Sequence, residues 1–107
     1  QWNAQLRRGL VELCVLAAIE RDEAYGYQLV ERLRQGSGLE LTESTVYPVL
    51  SRLARERLLD VRTAPSPTGP PRRYYRLNAA GRARLAQMKQ HWEAVSQSIA
   101  RLLTGEI

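Results

Sequence analysis

Residues 42–57, TESTVYPVLSRLARER, hold side chains whose types and spacing suit contact with phosphates. Wound at about 100° per residue, the segment puts Val46, Val49, Leu50 and Leu53 on one side and Ser44, Pro48, Ser51 and Arg55 on the other, with Arg52 flanking the second group. The hydroxyl residues stand at the N-terminal end, where free backbone N–H groups and the helix dipole favour anions. The arginines follow further along the same side. Taken alone, the pattern also fits an ordinary amphipathic surface helix, so the rest of the chain has to decide between the two.

The charge distribution favours phosphates. Sixteen basic residues, all arginine except Lys89, stand against eleven acidic ones, for a net charge of +5 and a pI near 10. Residues 1–51 carry five arginines and seven carboxylates, whereas residues 52–84 carry nine arginines against Glu56 and Asp60. The excess is therefore local, and a polyanion, nucleic acid first, is the expected partner class. Catalysis finds no support: one histidine (His91), one cysteine (Cys14), no glycine-rich phosphate loop, no spaced metal ligands and no acid–base pair. Neither a cofactor nor a metal is expected. Cys14, inside LCVLAAI, reads as a small buried hydrophobe. That apolar run is far short of the roughly 18 residues a membrane span needs, and nothing resembles a signal peptide, so a cytoplasmic protein without membrane contact is expected. The start at Gln1 suggests that a few native residues precede it.

The elements that must position these groups follow from periodicity. A first helix is expected over about Ala4–Glu20. Leu6, Leu10, Leu13 and Ala17 form one stripe and further apolar residues fill most of the remainder, so the helix needs cover on more than one side. A polar break at Arg21-Asp22-Glu23 precedes a second helix over about Tyr25–Gln35, ended by Gly36 and Gly38. Its Tyr25-Gly26-Tyr27 opening reads first as packing. Pro48 would bend a helix capped by Thr42, so the third helix is expected to run regularly from about Ser44 after a tight or kinked beginning. Leu59–Thr63 and Arg73–Leu77 alternate around the stiff APSPTGPP tip and predict a β-hairpin. Leu59, Val61, Tyr75 and Leu77 should face inward, and Arg62, Tyr74 and Arg76 outward. From an Asn78 cap, a last helix carries Leu85, Met88, Trp92, Val95, Ile99 and Leu102 in a heptad seam. At 1.5 Å per residue it would extend nearly 40 Å, beyond the rest of the domain.

Helix, helix, helix and two-stranded wing make a mostly α (α+β) fold: a winged helix-turn-helix over residues 4–78, with a long dimerisation helix over 79–104. In such a fold the third helix enters the DNA major groove, while the hairpin touches the adjacent backbone or minor groove.

The motifs YGYQL (25–29), STVYPVLSRLARERLL (44–59) and GPPRRYYRL (69–77), with NAAGRARL after them and a Trp-bearing terminal helix, make the chain resemble PadR-type bacterial transcriptional regulators from Leu10 to about Leu103. Asn78 stands where that family often has threonine, and the proline-rich tip is a second departure. The resemblance implies a homodimeric repressor whose third helix and wing contact an inverted-repeat operator. It also implies a compact branch in which some members hold planar aromatic compounds between paired tryptophans, with Trp92 at the matching position.

Candidate DNA contacts are therefore Ser44, Thr45 and Tyr47 as hydroxyl donors near the helix start, and Ser51, Arg52 and Arg55 further along. Arg72, Arg73 and Tyr74 represent the wing. Arg52 or Arg55 has the geometry for bidentate contact with guanine. Leu6, Leu10, Leu85, Met88, Trp92, Val95, Ile99 and Leu102 are the expected dimer contacts. Met88, Trp92 and Ser96 are the expected lining of a slot for a planar hydrophobic molecule. The rival reading is a winged-helix interaction or assembly module without specific DNA binding.

Overall fold

Four helices and three short strands account for the chain in the computed structural model, which describes residues 1–107: α1 (Trp2–Ala18), β1 (Ala24–Tyr25), α2 (Gly26–Gly36), α3 (Glu43–Arg55), β2 (Leu59–Ser66), β3 (Gly69–Leu77) and α4 (Ala79–Leu103). The core forms where their apolar stripes meet. Val11, Val15, Leu16 and Ile19 come from α1 and the residue after it, Leu29, Val30 and Leu33 from α2, and Val46, Leu50 and Leu53 from α3. Ala24, Leu59, Tyr75 and Leu77 of the sheet, Leu41 and Leu58 from the segments on either side of α3, and Leu85 of α4 complete it.

The helix ends follow from their local chemistry. The backbone N–H of Tyr25 donates to Gln28 Oε1 at 3.2 Å, fixing the start of α2, and Gly38 supplies a left-handed residue (φ +70°) just after its end. Thr42 precedes α3 in extended conformation, and its carbonyl accepts from both Thr45 N and Val46 N, at 3.0 and 2.9 Å. The tight beginning expected at Thr42–Glu43 is thus present, but helical geometry already starts at Glu43 and Pro48 lies in the second turn. The helix tolerates it because the pyrrolidine ring is exposed and only the bond to the Ser44 carbonyl is forgone. At the other end, Arg57 takes a left-handed conformation (φ 61°) and Leu58 N reaches back to the Leu53 carbonyl at 3.0 Å, which turns the chain straight into β2.

The wing differs from expectation in three respects. Its sheet has three antiparallel strands in the order β1-β3-β2, since Ala24 and Tyr25 pair with Tyr75 and Tyr74. A two-residue strand after a polar break has no pattern to betray it. It is set in place by Arg32 of α2, whose guanidinium donates to the carbonyls of Ala18, Asp22 and Glu23. Second, the hairpin strands run through most of the proline-rich stretch and leave Pro67-Thr68 as the tip. Pro70 and Pro71 lie beyond the reach of β1, where β3 is an edge on that side, and the register is irregular around Pro65. Third, Val61 is 36% exposed although its partner Tyr75 is buried, because β2 is an edge strand and β3 the centre of the sheet.

Asn78 joins three parts of the fold. Its Oδ1 accepts from Gly81 N at 2.9 Å, capping α4, while Nδ2 donates to the Arg57 carbonyl at 2.8 Å. Asparagine makes the two bonds from separate atoms, whereas threonine would have only its one hydroxyl for both. The first turns of α4 pack into the same core through Gly81 and Leu85. The later turns leave it, so Trp92, Val95, Ile99 and Leu102 are exposed and the molecule is elongated, 55 × 29 × 20 Å. Leu85, expected in the dimer seam, is instead 1% exposed within its own chain, so the free seam begins one turn later, at Met88.

A Cβ on Gly81 would lie 2.2 Å from the Leu58 carbonyl oxygen, whereas one on Gly36 would meet nothing within 4 Å. Gly81→Ala should therefore lower stability by about 1–3 kcal/mol through overpacking, although alanine is the better helix former. Gly36→Ala should be neutral or slightly stabilising. Chemical denaturation of the two variants beside the parent checks both signs.

Candidate nucleic-acid interface

Burial of Val46, Leu50 and Leu53 turns the opposite side of α3 to solvent, and Ser44, Tyr47, Pro48, Ser51 and Arg55 form one exposed stripe along it. At its N-terminal end three hydroxyls cluster, with Thr42 Oγ1 3.0 Å from Ser44 Oγ and 3.5 Å from Thr45 Oγ1. Thr42 makes no side-chain cap, so the first amides of α3 remain directed at whatever approaches. Thr45 is half-buried beside them. Tyr47 rests its ring on Gly26 so closely that a Cβ there would come within 2.6 Å of it. This contact accounts for the glycine of the Tyr25-Gly26-Tyr27 opening as packing. Partial burial and the nearby Glu43 carboxylate push the Tyr47 phenol above its ordinary pKa.

Ion pairing sorts the arginines of residues 52–84. Arg52 is held by Glu12 of α1 at 2.8 Å and by Glu56 at 3.2 Å; Arg76 meets Asp60 at 3.5 Å and Arg84 meets Glu12 at 3.0 Å. Arg62 pairs with Glu23, with Nε donating to Oε2 at 3.0 Å, which holds that carboxyl below its usual range and the guanidinium above its own. Arg82 donates to the Glu20 carbonyl at 3.2 Å. Arg55, Arg57, Arg72, Arg73 and Arg82 have no carboxylate partner, and all but Arg82, on the first turn of α4, lie at the end of α3 and on the wing. Four guanidiniums without a carboxylate therefore stand at the C-terminal end of α3 and on the wing. Arg52 departs from expectation: it flanks the stripe in the helical wheel, but two carboxylates direct its guanidinium toward α1 and its own helix.

On the outer face of the sheet, Tyr25 and Tyr74 meet edge to face with centroids 5.4 Å apart. Arg72 lies over Tyr25 at 4.3 Å and Arg62 over Tyr74 at 4.5 Å, a ladder of cation–π contacts that steadies the wing on the body of the domain. Tyr74 is thus half-buried under Arg62 rather than free. Arg73, on the opposite face, stays exposed 6.0 Å from the Tyr75 ring.

A second feature lies between α1 and α4, where Gly9, Leu10, Leu13, Met88, His91, Trp92 and Val95 line an open, mostly apolar groove of about 190 Å³. The expected Met88 and Trp92 are there. Ser96 is not: its hydroxyl turns back to the Glu93 carbonyl at 3.2 Å. Leu6 and Leu10 are half-buried on α1. Sequence reasoning missed Gly9 and Leu13 as lining, although Gly9 adjoins Leu10 and Leu13 belongs to the same stripe of the first helix, and the exposed His91 edges the groove as well. It also missed Glu12, which no local pattern marks. No group of three or more His, Cys, Asp or Glu side chains converges as a metal site, and no helix is long and apolar enough to cross a membrane.

Residues 15–87 match the model of the transcriptional regulator PadR-like family. The fold is similar to that of a PadR-like transcriptional regulator from Bacillus cereus (34% identity, TM-score 0.81, covering 92% of this chain and 96% of that one). It is also similar to a PadR family transcriptional regulator from Eggerthella lenta (31% identity, TM-score 0.82, covering 94% and 87%). A more distant likeness, of fold alone, is to Bacillus subtilis PadR solved in complex with operator DNA (22% identity, TM-score 0.68, covering 74% and 47%).

The two arginines of α3 should separate in a stability measurement. Arg52→Gln withdraws the hydrogen-bonded partner of a largely covered carboxylate and should cost about 1–3 kcal/mol. Arg55→Gln, at an exposed and unpaired position, should stay within about 0.5 kcal/mol of the parent in urea denaturation.

Proposed function

We propose, on the premise that this chain belongs to the PadR-like family of transcriptional regulators, that it is a homodimeric DNA-binding repressor acting in the cytoplasm by binding and not by catalysis. The observation that carries this reading is that the exposed α3 stripe is accompanied by four arginines without carboxylates, Arg55 and Arg57 at the end of the helix and Arg72 and Arg73 on the wing. Ser44, Thr45, Tyr47 and the first amides of α3 would take phosphates or base edges at the helix start. Ser51 and Arg55 would lie along the major groove, with Arg55 the better candidate for guanine because Arg52 is already engaged. Arg72 and Arg73 would bring the wing to the neighbouring backbone or minor groove, Arg72 aimed by Tyr25 and Tyr74 behind it.

Residues 4–78 would form the reading unit and residues 79–104 the dimerisation helix, the latter rooted in the core by Gly81 and Leu85. A second copy of the chain is the natural cover for Met88, Trp92, Val95, Ile99 and Leu102, with Leu6 and Leu10 of α1 completing the interface. Dimerisation would close two copies of the α1–α4 groove around a two-fold axis and give a planar hydrophobic molecule a place to stack on Trp92. Its binding would shift the relative pose of the two reading units and so the half-site spacing they accept.

Selection from a random pool of duplexes tests the reading. A two-fold dimer should return an inverted repeat with half-sites about one helical turn or a multiple apart; failure to bind any duplex at low salt would favour the interaction-module reading instead. On the selected duplex, neutralising Arg72 and Arg73 together should weaken binding to all sequences alike and reduce the slope of log K against log salt by about 2. An unchanged slope would remove the wing from the contact. Planar aromatic compounds that bind should quench tryptophan emission in the parent but not in Trp92→Ala, which retains Trp2, and should change DNA affinity by the factor by which DNA changes theirs.

A further inference from the structure

Glu12 is a carboxylate on which three helices meet. It sits on α1 between Val11 and Leu13 with its side chain only 15% exposed. From α3, Arg52 Nη2 donates to Oε1 at 2.8 Å; from α4, Arg84 Nη2 stands 3.0 Å from Oε2. The two limbs are unequal. The Arg52 limb is a directed hydrogen bond, reinforced because the other guanidinium nitrogen is held by Glu56 at 3.2 Å. Oε2 is buried with no N–H aligned on it, so the Arg84 limb is a contact of charges without a hydrogen bond. A covered oxygen held this way gains or loses much of its stabilisation when its partner shifts slightly.

The placement gives such a shift a source. Along α4, Arg84 lies about one turn before Met88 and two before Trp92, and on α1 Glu12 adjoins Leu13; Met88, Trp92 and Leu13 all line the groove between these helices. Lys89 also ties α4 to the turn that follows α1, through Glu20 at 3.0 Å, but that pair has no limb to α3.

We infer that Glu12 is a positioning residue: through the Arg52–Glu12–Arg84 bridge it ties the pose of α3 to that of α4, so that occupation of the DNA face is felt at Trp92 and events at Trp92 are felt by α3. This inference rests on the DNA-binding reading above. By linkage the coupling runs equally in both directions.

The test uses the full chain carrying Trp2→Phe, so that Trp92 is the single emitter, and the duplex selected from the random pool. Anisotropy of labelled duplex reports binding, and Trp92 emission reports α4. The parent should change its Trp92 emission on saturation with DNA. Glu12→Gln and Arg84→Gln should still bind duplex while that change shrinks about fivefold or more, and Lys89→Gln should leave it intact. An undiminished change in Arg84→Gln, an equal loss in Lys89→Gln, or a parent whose emission ignores bound DNA would each overturn the inference while leaving DNA binding standing. Absence of binding in the anisotropy arm would overturn both together. Arg84 is half-exposed, so its variant decides the matter if Glu12→Gln does not fold.

Discussion

The approach of the first turn of α4 to the Leu58 carbonyl is the constraint on which the rest of the structure hangs. The chain leaves α3 through a left-handed Arg57, passes Leu58 and runs out and back through the hairpin. It then returns to the same point at Asn78, whose amide bonds the Arg57 carbonyl with one atom and caps α4 with the other. Only a residue without a Cβ fits at position 81 against the Leu58 carbonyl. The exit of α3, the base of the wing and the origin of α4 are thereby fixed to one another within a few ångströms, and the direction in which α4 leaves the core follows. Any assembly built on α4 inherits that angle, and so does the spacing between two copies of α3.

Charge placement works by subtraction. The arginine-rich third of the chain would spread positive charge over the end of α3, the wing and the start of α4 alike if every guanidinium were free. Carboxylates prevent this: from elsewhere in the chain Glu12 takes Arg52 and Arg84 and Glu23 takes Arg62, and within the segment Asp60 takes Arg76. Most of these pairs are solvent-exposed and add little to stability one by one. Their larger effect is to leave Arg55, Arg57, Arg72 and Arg73 uncompensated at the C-terminal end of α3 and on the wing, where a polyanion lying along the exposed side of α3 would meet them. The cation–π ladder on the wing serves the same end by ordering Arg72 without neutralising it.

Legibility varied with the range of the interaction. The helices, the hairpin and the two-sided character of α3 were readable because burial imposes a period of 3.6 or 2 on the residues that share a face. The heptad seam was equally plain, yet its first member, Leu85, belongs to the core of its own chain, since a period reports which residues share a face and not what covers each of them. The third strand was invisible: two residues carry no period, and Ala24-Tyr25 pairs with β3 because Arg32 gathers the carbonyls before it. The proline-rich tip misled for a related reason. Proline marks a turn only where its missing donor would be needed, and at the edge positions of this hairpin it is not.

By itself the sequence determined the order of elements, the apolar faces that must meet, the exposed hydroxyl-and-arginine stripe of α3 and the concentration of arginine in one third of the chain. Each is a property of near neighbours, set by periodicity, capping and composition. The tertiary structure alone decided which arginines remain available. Arg52 and Arg55 are alike on a helical wheel, but Glu12 lies 40 residues from Arg52 in the chain and 2.8 Å from it in space. An ion pair between distant residues leaves no trace in local pattern, because its energy depends on a separation that only the folded chain creates.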